Sequence, residues 1–295
     1  MLPGSERSSW RDLDLEARER EYSPSSCIGG NYQPFIDAYV ARSRAARARL
    51  GGQLDLRYGE RAAQRLDLFV PNRAIGAAAP PLLVFIHGGY WQELSKHESA
   101  FAAGDCVDQG FACAALDYTL APHATLAEMV AECRQAVAWL HANAAPLGFD
   151  AARIVVAGSS AGAHLAAMTA LAGSIEPGAQ RIVKAAVLVS GVYELEPLVG
   201  TSINAALGLN TEAARALSPA LLDLDGFPPS IVCWGSVETL EFKRQSQDFA
   251  ARLGRSGSAC RVFEVPQRNH FDVILDLADP RAELGRAVAE LMGSV

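Results

Sequence analysis

The chain has 295 residues, half of them hydrophobic and a fifth charged, with a formal net charge of −7 at pH 7. This balance excludes a disordered or low-complexity protein, and its acidity argues against a nucleic-acid partner. No stretch approaches 18 uninterrupted apolar residues, so no membrane-spanning helix is predicted.

Residues 1–60 precede the region of strand signals. Their first twenty residues are polar and lack the apolar run of a secretory signal, so export is not indicated. A helix is predicted over 32–50, with Phe35, Ile36, Tyr39 and Val40 on one face. The arginines clustered between 42 and 57 alternate with alanine and read as a solvated helix face. Strands are then predicted at 65–70, 82–86, 111–116, 153–157, 183–190, 230–234 and 260–265. Most are continuous apolar or β-branched runs, as strands buried on both faces require. Helices fall between them at 125–140, 160–171, 241–253 and 280–291. The first of these opens on a capping box, Thr125-Leu126-Ala127-Glu128. Its apolar stripe is Leu126, Met129, Val130, Cys133, Val137 and Leu140. Strands alternating with helices predict a mostly parallel α/β sheet with right-handed crossovers. Residues 191–229 break the alternation. Rich in Gly, Pro and Asn, with a short helix near 211–217, they read as a cap or pocket wall.

Six cysteines, at positions 27, 106, 113, 133, 233 and 260, form no CxxC pair, and no histidine sits at zinc-finger spacing from them. Buried free thiols, no metal and a reducing cytoplasm are expected.

The chemistry concentrates in four places. Gly158-Ser159-Ser160-Ala161-Gly162 matches G-x-S-x-G between an apolar strand and an Ala-rich helix, the strand–turn–helix that exposes a nucleophile. Ser160 is the central serine; Ser159 is off-centre. His87-Gly88-Gly89 follows the strand at 82–86. Its position ahead of the serine suits an oxyanion loop, with Gly88, Gly89 and Ala161 donating backbone N–H groups. His87 reads as a structural hydrogen-bonding residue. A general base must come late in such a chain, and His270 is the one histidine of six beyond the nucleophile helix. The acid belongs just after the strand at 230–234. Glu238 leads there, with Glu241 at the next helix start and Asp272 beside His270 as alternatives. All four places lie between residues 87 and 270, so one sheet carries them and 1–295 reads as a single domain.

With these residues in place, the chain resembles the kynurenine formamidase (arylformamidase) branch of the serine α/β-hydrolases. The shared esterase features are HGG at 87–89, DYTLAP at 117–122 and GSSAG at 158–162. The more distinctive ones are His87-Gly-Gly-Tyr-Trp91, Ser190-Gly-Val-Tyr193-Glu-Leu-Glu-Pro197, Asn204, Leu217-Ser-Pro219 and the segment from Glu238 to Ser246. The resemblance implies the α/β-hydrolase fold and hydrolysis of an aryl formamide. It maps the triad onto Ser160, Glu238 and His270; animal members tend to have Asp where this chain has Glu238. It implies no cofactor, a small-molecule substrate, and an aromatic pocket from Tyr90, Trp91 and Tyr193. A carboxylesterase on the same scaffold is the competing expectation. A homodimer is the default assembly.

Overall fold

A computed structural model describes residues 9–171 and 181–295. Residues 1–8 of the predicted extension lie outside the described residues.

The apolar runs become the centre of one eight-stranded sheet. Its strands are β1 (Gln53–Arg57), β2 (Arg65–Phe69), β3 (Leu82–Ile86), β4 (Ala112–Leu116), β5 (Ile154–Ser159), β6 (Val183–Val189), β7 (Ser230–Val237) and β8 (Cys260–Asn269). Their spatial order is β1-β2-β4-β3-β5-β6-β7-β8. Only the β1–β2 and β2–β4 pairings are antiparallel; β4 onward is parallel. Every residue of β3, β4 and β5 is buried. That is what unbroken apolar runs predict for strands covered on both faces.

Among the described residues the helices are α1 (Leu15–Glu21), α2 (Gln33–Leu50), α3 (Ala103–Asp108), α4 (Leu126–Ala142), α5 (Ala144–Leu147), α6 (Ala161–Ala170), α7 (Asn204–Leu207), α8 (Thr211–Ala216), α9 (Leu240–Arg255) and α10 (Glu283–Ser294). The capping box at α4 forms as predicted. Glu128 N–H donates to Thr125 Oγ1 at 3.3 Å, and Thr125 N–H to Glu128 Oε2 at 2.8 Å. The whole predicted stripe of α4 is buried. All ten residues of α6 are buried, so the helix behind Ser160 is a core element.

Three local readings are corrected. Strand β1 was not predicted: it is a polar, mostly exposed edge strand with a bulge, and it lacks an apolar run. On α2 the buried positions are Tyr39, Ser43 and Ala46, while Val40 is 43% exposed. The inward stripe follows residues four and three apart, and bulky Val40 falls beside it. Nor is Arg47 a solvated charge. Its Nε lies 2.9 Å from Asp67 Oδ2, and Lys96 Nζ lies 2.8 Å from Asp67 Oδ1. Asp67 is 1% exposed, so removing either cation leaves a buried carboxylate under-compensated. This pairing fastens α2 to β2.

Cys106, Cys113, Cys133 and Cys233 are buried, Cys27 is exposed, and all six cysteines are unpaired.

Candidate active site

Ser160 stands where β5 turns into α6, with φ 58° and ψ −122°. A serine at positive φ is strained, and the turn holds it by packing. A Cβ on Gly162 would lie 2.1 Å from Ile86 O, so only glycine lets α6 lie against the end of β3. Ser160 is also the N-cap of α6, whose first N–H groups have no intrahelical acceptor and favour negative charge.

The loop after β3 runs directly beside it. A Cβ on Gly88 would lie 2.8 Å from Ser159 O and 3.3 Å from Ser160 Cβ. Gly88 and Gly89 line the same cleft as Ser160. Ala161 follows Ser160 as the first residue of α6. His87 braces this loop. Its Nδ1 lies 3.0 Å from Gly88 O, its ring stacks on Tyr118 at 4.4 Å, and Tyr118 donates to His87 O at 3.1 Å.

His270 sits just past β8, and Glu238 just past β7. Glu238 Oε2 lies 2.9 Å from His270 Nδ1. The other carboxylate oxygen accepts from Ser190 Oγ and from the Gly235 N–H, each at 2.6 Å. Both residues are buried, at 6% and 5% exposure. Three hydrogen bonds to one carboxylate leave it little rotational freedom. The two alternatives are engaged elsewhere. Glu241 is bidentate to Arg244 at 2.8 and 2.7 Å. Asp272 Oδ1 accepts from the Asn269 N–H at 2.6 Å, and burial raises its pKa.

Ser160 and His270 line a cleft of about 710 Å³. Tyr32, Ile36, Tyr39, Phe101 and Phe271 give it an aromatic and apolar lining. Tyr32 and Phe271 stack at 5.3 Å. Glu16, Glu19, Ser25 and Glu93 add polar groups to the lining. Arg20 is the single arginine or lysine among the described residues on this wall.

The predicted aromatic pocket is largely corrected. Tyr90 does line the cleft, and its hydroxyl donates to Tyr22 O. Trp91 is fully buried, edge-on to His164 at 5.2 Å. Tyr90 and Trp91 both take positive φ, and this turn sends one ring to the cleft and the next into the core. Tyr193 is also fully buried, stacked on Phe249 at 4.2 Å. The pocket aromatics that replace them, Tyr32 and Phe271, carry only weak signals in the sequence. Phe271 is the neighbour of His270, and Tyr32 begins the predicted helix. Ser190, in the Ser190–Pro197 motif, is the functional contact that sequence reasoning missed; its place at the end of the predicted strand 183–190 was the available clue.

The eight-stranded sheet, the strained serine turn and the His–carboxylate pair define an α/β-hydrolase. Solved structures agree. A Silicibacter sp. tm1040 protein described as a candidate thioesterase aligns with TM-score 0.78 and 28% identity, over 92% of this chain and 98% of its own. A hyperthermophilic esterase from Pyrobaculum calidifontis aligns with TM-score 0.71 at 21% identity, over 96% and 93%, and supports the fold alone. The BD-FAE family model matches residues 66–253. The kynurenine formamidase of Salmo salar is 30% identical over 97% of this chain and 99% of its own. That of Danio rerio is 30% identical over 97% and 99%. The chain belongs to the kynurenine formamidase family. No helix among the described residues is long and apolar enough to cross a membrane.

Proposed function

We propose that the protein is a cytoplasmic serine hydrolase that cleaves an aryl formamide, N-formyl-kynurenine or a close analogue, to formate and the aryl amine. The observation that carries this reading is one cleft lined by the strained Ser160 and by His270, which Glu238 holds at Nδ1, in a chain that is collinear with kynurenine formamidases. Ser160 Oγ attacks the formyl carbon while His270 takes its proton. The Gly88, Gly89 and Ala161 N–H groups hold the oxygen that becomes negative; each such donor is worth about 3 kcal/mol in the transition state. His270 then gives the proton to the anilide nitrogen, the C–N bond breaks and the amine leaves. Water, deprotonated by His270, attacks the formyl ester. Formate departs as Ser160 regains its proton. Glu238 holds the imidazole tautomer and stabilises its charged form without taking the proton.

The cleft suits such a substrate. The aryl ring packs on the aromatic lining that includes Tyr32 and Phe271, and Arg20 offers the amino-acid tail a partner for its carboxylate. A second reading, a small-acyl carboxylesterase, is favoured by Esterase LipC of Mycobacterium tuberculosis. LipC is 28% identical over 89% of this chain and 67% of its own. The deciding experiment compares kcat/KM for N-formyl-kynurenine, formanilide, acetanilide and short nitrophenyl esters, on the wild type and Ser160→Ala. Efficient turnover of formyl anilides supports the first reading. An enzyme that leaves them intact and cleaves the esters is the second.

A further inference from the structure

Helix α9 starts two residues after Glu238, so whatever fixes its first turn also fixes the carboxylate that holds His270. The helix does not cap itself: its N-cap residue, Thr239, makes no side-chain cap bond. The Thr239 hydroxyl donates instead to Glu21 O at 2.6 Å. The Leu240 N–H donates to Glu21 Oε2 at 3.0 Å, and the Glu241 N–H to the same oxygen at 3.4 Å. The cap is thus a carboxylate from the other end of the chain, placed where the helix favours negative charge.

The next residue reaches both sides of the site. Tyr22 is 1% exposed. Its hydroxyl donates to Glu241 Oε2 at 2.7 Å and accepts from Gln245 Nε2 at 2.9 Å. Burial raises its pKa, which keeps the hydroxyl a donor. Its carbonyl accepts from the hydroxyl of Tyr90, the residue after the oxyanion glycines. Two consecutive residues therefore contact the turn bearing the acid and the loop bearing the oxyanion donors. These are the parts of the site that must keep register with Ser160 and that no strand pairing joins directly.

We propose that Glu21 and Tyr22 are positioning residues, which hold the Glu238 turn and the oxyanion loop in their working places; this rests on the reading of Ser160, His270 and Glu238 as the triad. The test measures Glu21→Ala, Glu21→Gln and Tyr22→Phe in the full chain, on both N-formyl-kynurenine and nitrophenyl acetate. Reactive serine is counted with a fluorophosphonate, and Ser160→Ala and Glu238→Gln run alongside. Glu21→Ala should lower kcat about tenfold on any substrate that is turned over, with KM within about twofold and the serine count unchanged. Glu21→Gln keeps an oxygen acceptor for the Leu240 N–H and should recover to within about threefold of wild type. Tyr22→Phe should fall between them. In a Glu238→Gln background, Glu21→Ala should add less than about twofold, because its route to the chemistry is already cut. An unchanged kcat, a loss equal to the loss of reactive serine, or full additivity with Glu238→Gln overturns the proposal. If Ser160→Ala or Glu238→Gln retained wild-type rates, it is the triad reading itself that would fail. Cleavage of the ester alone would leave the positioning test intact and overturn only the formamide reading.

Discussion

Two regions lie outside the regular alternation of strands and helices, and they do different work. The insertion at 191–229 was the expected pocket wall. Of it, only Ser202 and Ile203 are on the cleft. Most of its apolar residues, such as Val192, Leu195, Leu198 and Leu207, pack downward into the main core. The segment before the sheet looked peripheral. Its residues from Glu16 to Ser26, together with Tyr32, Ile36 and Tyr39, form much of the wall. It also supplies an edge strand and the arginine that pairs with Asp67. The two meet where Glu19 accepts from the Ser202 hydroxyl at 2.7 Å. Distance along the chain is no guide to distance from the site: the N-terminal segment lines the cleft, while the insertion is anchored beside α6.

The largest effect sets the scale. Ser160→Ala should lower kcat by at least about ten-thousandfold, and Glu238→Gln by about a thousandfold or more, measured on formyl-kynurenine. Against that scale, Phe271→Ala or Tyr32→Ala should raise KM for aryl formamides about tenfold, since stacked rings and their buried area are lost. Ile203→Ala, on the insertion, should change it less than about threefold. Equal effects from the two sides would break the contrast. Arg20→Ala should raise KM about fivefold for N-formyl-kynurenine and less for formanilide, which has no carboxylate to bind. Smallest at neutral pH is the effect of His164, which ties α6 to the insertion through Leu217 O, 2.7 Å from its Nε2. Burial pushes its pKa down to about 4. The unfolded state, with a value near 6.5, then binds the extra proton first. The folded state should keep its full stability above about pH 6.5 and lose roughly 3 kcal/mol by pH 4 from this group. Urea unfolding of the wild type and His164→Gln across that window checks it; the variant should show a shallower loss.

Much of the site could be read along the chain. Gly158 to Gly162 carries its own geometry, because a strand, a turn too tight for side chains and a helix are consecutive. His270 followed from order alone, and seven strands from apolar runs. Tyr90, Trp91 and Tyr193 show where such reading ends. One aromatic side chain looks like another in a sequence, and only the turn at residues 90 and 91 decides which ring faces the cleft. Strand β1 was missed for a related reason: an exposed edge strand needs no apolar pattern. The choice of Glu238 over Glu241 and Asp272 depended on a 2.9 Å contact with His270 and on where the other two carboxylates were already bound. The sequence by itself determined seven strands of the sheet, the serine turn and the order of the candidate groups, because these rest on local sterics and on apolar runs long enough to specify a buried strand. Tertiary structure alone decided the walls of the cleft and the bracing of the acid. Those depend on groups about 220 residues apart, the Glu21 carboxylate with the Leu240 N–H and Tyr22 with Glu241, and no local pattern along the chain encodes such a meeting.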